Sequence, residues 1–204
     1  MPKIKLNLRN VLVIATCLAA VTVFLSCKDD NKNGSGNGNS STTAKVIKPS
    51  QLVSLEDAKR ITGENMVVSG ELDGGTMNND KDYGISYYLT TTYKKDYDLG
   101  FKTLSITLRY YDNTNLFNIL YKGYTDVYDN EEEKIKIGAD WTCMNDDLRL
   151  VIFYNKHFID IWFNNMTPVS VDDTEAREAQ NKQILIEVGK CAVSNLKKIL
   201  GSGK

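Results

Sequence analysis

The chain has 204 residues, with 25 Lys+Arg against 26 Asp+Glu, a single His, four Cys and 42% hydrophobic residues. That length holds one domain, or two small ones, with enough chain to bury a core. Near-neutral balance and a pI near 5.9 exclude the basic excess of a nucleic-acid binder. One imidazole leaves little room for histidine-based metal or acid–base machinery.

The first ten residues carry Lys3, Lys5 and Arg9 and no acid, and residues 11–25 are apolar apart from Thr16 and Thr22. A basic start, a short apolar run and the small Ser26 predict a secretory signal, because the run is short for a membrane span. Phe24-Leu25-Ser26-Cys27 resembles a bacterial lipobox. The resemblance implies cleavage before Cys27, which would then receive a diacylglyceryl thioether and an N-acyl chain. Phe24 stands where such a box usually has Leu, Val or Ile. The competing readings are an ordinary signal peptide cut nearby, or an uncleaved anchor. Lys28-Asp29-Asp30 follow directly, and this start is similar to that of Bacteroidetes-type lipoproteins exported to the outer membrane or cell surface.

Each buried methylene contributes about 0.8 kcal/mol, so one acyl chain holds weakly and several hold durably. Loss of residues 1–26 removes three cations and no acid, leaving 22 basic against 26 acidic residues and a net charge of −4. Anionic headgroups would not attract such a body, so the expected partnership with the membrane rests on the acyl chains. Residues 31–43 contain no apolar side chain and read as a tether. As a coil, residues 28–44 would span about 20 Å. The sequence therefore divides into a signal over 1–26, a lipidated Cys27 with tether to 44, and one folded domain over 45–204.

Ser54 is placed to cap a first helix, with Asp57 as capping-box partner, Val53 stapling onto Ala58 and Gly63 as the stop. Leu55, Ala58 and Ile61 share one face of it. Gly70–Asp82 reads as a loop. Tyr83–Tyr93 then alternates strictly, with Tyr83, Ile85, Tyr87 and Leu89 on one side, and Thr103–Tyr111 repeats the pattern with Leu104, Ile106, Leu108 and Tyr110 inward. The two predict an antiparallel hairpin. Leu116, Phe117, Leu120, Tyr121 and Tyr124 change the period to that of a short helix capped at Asn113 or Thr114.

Asp129–Glu133 is read as a solvated turn, Lys134–Gly138 as a short strand and Ala139–Cys143 as another. Leu148–Tyr154 and Phe158–Phe163 are dense in aliphatic and aromatic residues, and Asn155-Lys156-His157 between them predicts a tight hairpin. Asp172 with Glu175 starts a long last helix, whose stripe Leu185, Val188, Ala192, Leu196 and Ile199 runs to Gly201.

Strands grouped in hairpins, with helices at both ends, predict an α+β domain: an antiparallel sheet of five or six strands with helices packed on it. The layout resembles small envelope lipoproteins of the PsbP-like sandwich group. The opening helix, the Ile137-Gly138-Ala139-Asp140-Trp141 approach to the final hairpin and the closing helix carry the resemblance. It implies no reaction and transfers no functional residue.

Few residues offer chemistry. His157 is expected at a hairpin tip, exposed and without catalytic use. Cys143 and Cys191 are the thiols left once Cys17 departs and Cys27 is acylated; they form a disulfide or remain two buried thiols, and spacing alone leaves both open. No Cys-x-x-Cys is present to suggest redox catalysis or structural zinc. Asn78, Asp80 and Asp82 alternate oxygens as a calcium loop does, but Tyr83 replaces the needed Gly and no Glu closes the loop. Asp126, Asp129 and Glu131–Glu133 read as surface charge. No serine-nucleophile elbow, phosphate-cradling loop or zincin motif occurs, and no cofactor is called for.

Eleven Tyr and two Trp remain, with Tyr88 and Tyr111 on the outward side of their strands. Aromatic faces on a rigid sheet can stack on sugar rings or peptides; the stronger competing reading is strand propensity plus a second helix covering that face. The favoured expectation is a non-catalytic lipoprotein that binds an unidentified protein or glycan. The alternative is an envelope hydrolase using two of Asp112, Asp140 and Asp160. An inward Asp160 with a raised pKa would favour the enzyme, and an outward one the binding module.

Overall fold

The computed structural model describes residues 46–73, 85–128, 135–145, 148–168, 170 and 173–201. All of them belong to one unit, Ala44–Lys204. Cys27, the Asn78/Asp80/Asp82 group and the acidic run 129–133 lie outside the described residues, as does Asp172.

In chain order the elements are α1 (Pro49–Leu52), α2 (Leu55–Thr62), β1 (Val67–Asp73), β2 (Ile85–Asp96), β3 (Phe101–Tyr111), α3 (Thr114–Tyr128), β4 (Trp141–Asn145), β5 (Arg149–Tyr154), β6 (His157–Asn165) and α4 (Thr174–Gly201). The six strands form one sheet in the order β1-β2-β3-β6-β5-β4, and every neighbouring pair is antiparallel. The domain is α+β: a six-stranded antiparallel sheet with helices including a long C-terminal one.

Local chemistry explains the boundaries. Ser54 Oγ accepts from the Asp57 amide at 3.1 Å, completing the capping box of α2, and Gly63 ends that helix at φ +70°. Asn113 Oδ1 accepts from the amides of Asn115 and Leu116 at the start of α3. The β5–β6 turn is only Asn155-Lys156, both at positive φ (46° and 64°), which matches a two-residue hairpin connection. At the β2–β3 turn, Gly100 sits at φ +97°, and a Cβ there would lie 2.1 Å from the Met166 carbonyl oxygen. Only glycine fits that approach.

Two expectations fail in detail. The loop expected from Gly70 begins later, because Gly70–Asp73 complete β1; all seven residues of that strand are exposed, so it has no buried face for alternation to reveal. Lys134–Gly138 was expected as strand, but 135–140 contain none. Ile137 is instead buried beside Gly189 of α4, and Gly138 breaks extended geometry at φ +80°.

Alternation gives the sheet two unlike faces. The inner face carries Tyr87, Leu89, Tyr93, Leu104, Ile106, Leu108, Leu150, Ile152, Ile159, Ile161 and Phe163 in one core. α4 covers it with Leu185, Val188, Ala192 and Leu196, all fully buried. Each large aliphatic so buried contributes about 1.5–3 kcal/mol. Gly189 lets the helix settle onto β5, since a Cβ there would stand 2.5 Å from Leu150 Cδ2. The Tyr93 hydroxyl donates to the Val53 carbonyl and Asn195 Nδ2 donates to the Leu52 carbonyl at 2.9 Å, tying α1 to sheet and helix. Burial pushes the Tyr93 pKa up to about 12, so its hydroxyl keeps the proton it donates at neutral pH.

His157 is not an exposed tip residue. The turn is one residue shorter than the sequence suggests, so His157 opens β6, only 2% exposed. Its Nδ1 donates to the Asn155 carbonyl at 2.8 Å, and its ring lies 4.8 Å from that of Tyr110. Burial lowers its pKa below the ordinary 6.5. The unfolded chain therefore takes up a proton first as pH falls through 6.5, and stability contributed by neutral His157 is lost on further acidification. Melting temperature is expected to fall between pH 7 and 5.5, and His157→Gln to flatten that slope; parallel slopes for both proteins would contradict it.

Candidate functional site

The outer face of the sheet is divided. At one end Tyr111, Val151, Phe153 and Phe158 form a second core beneath Phe117, Leu120, Tyr121 and Tyr124 of α3, with Trp141 at its side. Rings meet edge-on, as with Tyr121 on Phe153 at 5.3 Å and Phe153 on Phe158 at 5.2 Å. Beyond this aromatic cover, the same face bears Thr90 and Thr92 of β2, Ser105 and Thr107 of β3, Asp160 and Trp162 of β6, and Arg149 of β5. Their cross-strand registers place them side by side.

This polar half is tightly ordered. Arg149 clasps Asp160 with two hydrogen bonds, Nε to Oδ1 at 2.6 Å and Nη2 to Oδ2. Burial works against the Arg149 charge, yet the bonds to Asp160 outweigh it and hold the guanidinium pKa above its ordinary value. The same guanidinium lies 5.0 Å from the centre of the Trp162 ring. Trp162 remains 41% exposed, unlike the other strand aromatics of this face. Thr90 Oγ1 and Thr107 Oγ1 share a hydrogen bond at 2.9 Å, and Thr92 Oγ1 and Ser105 Oγ share another at 3.1 Å. Each pair keeps one hydroxyl hydrogen and several lone pairs free for a ligand.

The two tyrosines picked from sequence part company. Tyr88 is half-buried on this face, with Arg109 stacked on its ring at 5.0 Å. Tyr111 is 5% exposed in the aromatic core beneath α3 and is no part of a binding surface. Burial raises its pKa, with Arg109 pulling the other way. Trp162 is the residue that sequence reasoning missed. Its signal was the parity of β6: Phe158, Asp160, Trp162 and Asn164 alternate with the inward His157, Ile159, Ile161 and Phe163.

The remaining candidates are not brought together as chemistry would require. Asp160 is on the outer face, 5% exposed, and committed to Arg149. Asp112 is exposed, and Asp140 is exposed and accepts from the Asn155 amide at 2.8 Å, at the turn end of the sheet rather than beside Asp160. Cys143 and Cys191 are not bridged; both are thiols. Cys143 pairs with Val151 on the outer face, whereas Cys191 lies on α4 against the inner one, so the sheet stands between them. Among the described residues no group of three or more metal-ligating side chains occurs. Nor does any described helix have the length and apolarity to cross a membrane.

A cleft of ≈ 380 Å³ between α2 and α4 is lined by Asp57, Arg60, Glu187, Lys190, Cys191 and Asn195, among others. Both its carboxylates are already taken, Asp57 by Arg60 and Glu187 by Lys190, each at 2.8 Å, and Lys198 donates to Asn195 Oδ1 at 3.4 Å. Burial raises the Cys191 pKa, keeping it a thiol rather than a nucleophilic thiolate. The cleft holds no arrangement for nucleophilic attack.

No protein-family model, curated protein or solved structure matches this chain. Function must therefore be argued from the site itself.

The Arg149–Asp160 pair sets what that site can tolerate. Arg149→Met strands a carboxylate in a 7%-exposed position and is expected to cost about 3 kcal/mol in urea unfolding. Adding Asp160→Val should restore most of that loss, because no buried charge is left unmatched. Additive losses in the double variant would contradict the pairing.

Proposed function

We propose that this protein is a lipid-anchored lipoprotein of the bacterial outer membrane or cell surface, with a folded domain that binds a partner without catalysis. The acylated Cys27 provides the anchor, and the Asn/Gly/Ser-rich stretch behind it lifts the domain from the headgroups. The binding surface is the open half of the outer sheet face, and the ligand is a glycan or protein of the envelope or surroundings. The observation that supports this best is Trp162: a large ring left 41% exposed, on a strand, with an ion-paired arginine 5.0 Å from its centre. Leaving such a ring in water serves nothing in folding, whereas a rigid aromatic loses little entropy on binding. The commitment of Asp160 to Arg149 takes away the carboxylate a hydrolase would most have needed.

Cys27→Ser is expected to move the protein from the membrane to the soluble fraction and to leave its precursor resistant to lipoprotein-specific processing. An unmodified Cys27 in the mature wild-type protein would contradict the anchor. For the domain, Trp162→Ala should leave the unfolding midpoint nearly unchanged while removing retention on immobilised polysaccharides and proteins that hold the wild type. Unaltered retention would contradict the face.

A further inference from the structure

We propose that the ligand of this open face is an acidic glycan, with a sugar ring stacked on Trp162, a carboxylate taken by Arg109, and the neighbouring hydroxyl pairs of β2 and β3 meeting the sugar hydroxyls. This rests on the binding face argued above and names its chemistry.

Arg109 is the reason for the acid. It stands on β3 opposite Phe158 on the outer face, its guanidinium 5.0 Å from the Tyr88 ring and 5.3 Å from the Phe158 ring. Its buried Nε has no hydrogen-bond partner, while the guanidinium is hydrogen-bonded to the Tyr111 hydroxyl. Among the described residues no carboxylate forms an ion pair with it, although the other charges of this face are paired: Arg149 with Asp160, and Lys94 with Asp96 at 2.7 Å. Two rings fix the plane of the guanidinium, so the N–H groups that Tyr111 leaves over are preorganised for a planar carboxylate. A half-buried cation lacking an acid is the complement of an anionic ligand.

The rest of the face is the reason for the sugar. Trp162 lies four residues along β6 from Phe158, the partner of Arg109, a distance of about 13 Å at strand rise. Thr90–Thr107 lies in the row between them, beside the Asp160 that Arg149 already clasps, and Thr92–Ser105 lies in the row of Trp162 itself; both present paired hydroxyls, donors and acceptors together, which suit polyhydroxylated rings. An acidic peptide would share the Arg109 contact. It would also want apolar pockets for alternate side chains or an open strand edge, and this interior stretch of sheet offers neither.

The experiment is calorimetric titration of the purified full chain with tetragalacturonate, with its fully methyl-esterified form, and with an oligoglutamate peptide. The acid is expected to bind about tenfold or more tighter than the ester at low salt, and to weaken as salt rises. Arg109→Gln should erase the preference for acid over ester while keeping the weaker ester binding. Trp162→Ala should reduce binding of both sugars by about tenfold or more. Equal affinities for acid and ester, or an unchanged preference in Arg109→Gln, would overturn the acidic-glycan inference and leave the Trp162 face standing. Binding of oligoglutamate alone would overturn it in favour of an acidic peptide. Binding that ignores Trp162 altogether, or no sugar binding while other immobilised ligands are retained through Trp162, would separate failure of the face from failure of the sugar.

Discussion

An ion pair set into the outer face of the sheet governs how the rest of that face is arranged. Arg149 and Asp160 sit next to Val151 and Phe158, at the margin where the aromatic cover of α3 stops. A clasped guanidinium and carboxylate lose too much solvation to be sealed beneath apolar rings without further partners. On one side of the pair the face is dry and packed; on the other it is hydroxyl-rich and half-exposed. The inner face has no such break, and it supplies the cohesion. Its continuous aliphatic core under α4 makes the sheet rigid enough for the outer side chains to hold fixed positions.

Rigidity matters more here than depth. The open half of the face is not a cavity, and its grip depends on groups already locked by neighbours: Trp162 against Arg149, Arg109 between Tyr88 and Phe158, hydroxyl against hydroxyl. Such groups lose little freedom when a ligand arrives, which compensates for the small area they cover. By contrast, the cleft between α2 and α4 encloses ≈ 380 Å³, yet its ion pairs are internally matched and its thiol is held protonated.

Much of the fold was legible because burial on one face leaves a trace in the chain. β3 reads Leu104, Ile106, Leu108 on its core side, and α4 repeats its apolar stripe over four turns. β1 left no such trace, since an edge strand with every residue exposed is patterned by nothing. The binding face was harder for a different reason. Whether an outward aromatic is covered depends on where α3 crosses the sheet, and no single strand encodes that. Tyr111 and Trp162 both lie outward; α3 buries the first and misses the second. His157 was misplaced by one residue of turn length, enough to carry a side chain from solvent into the core.

Binding through this face requires Trp162 to be open to water and held in place, and the chain's two tryptophans allow this to be measured directly. With Trp141→Phe the remaining emission comes from Trp162, and with Trp162→Phe it comes from Trp141, which is half-buried among Tyr121, Tyr124 and Phe153. Acrylamide quenching of the full-length variants should reach Trp162 readily and Trp141 poorly, with Trp162 showing the slow anisotropy decay of a ring that moves with the domain. A Trp162 as shielded as Trp141, or one that rotates freely, would contradict the account.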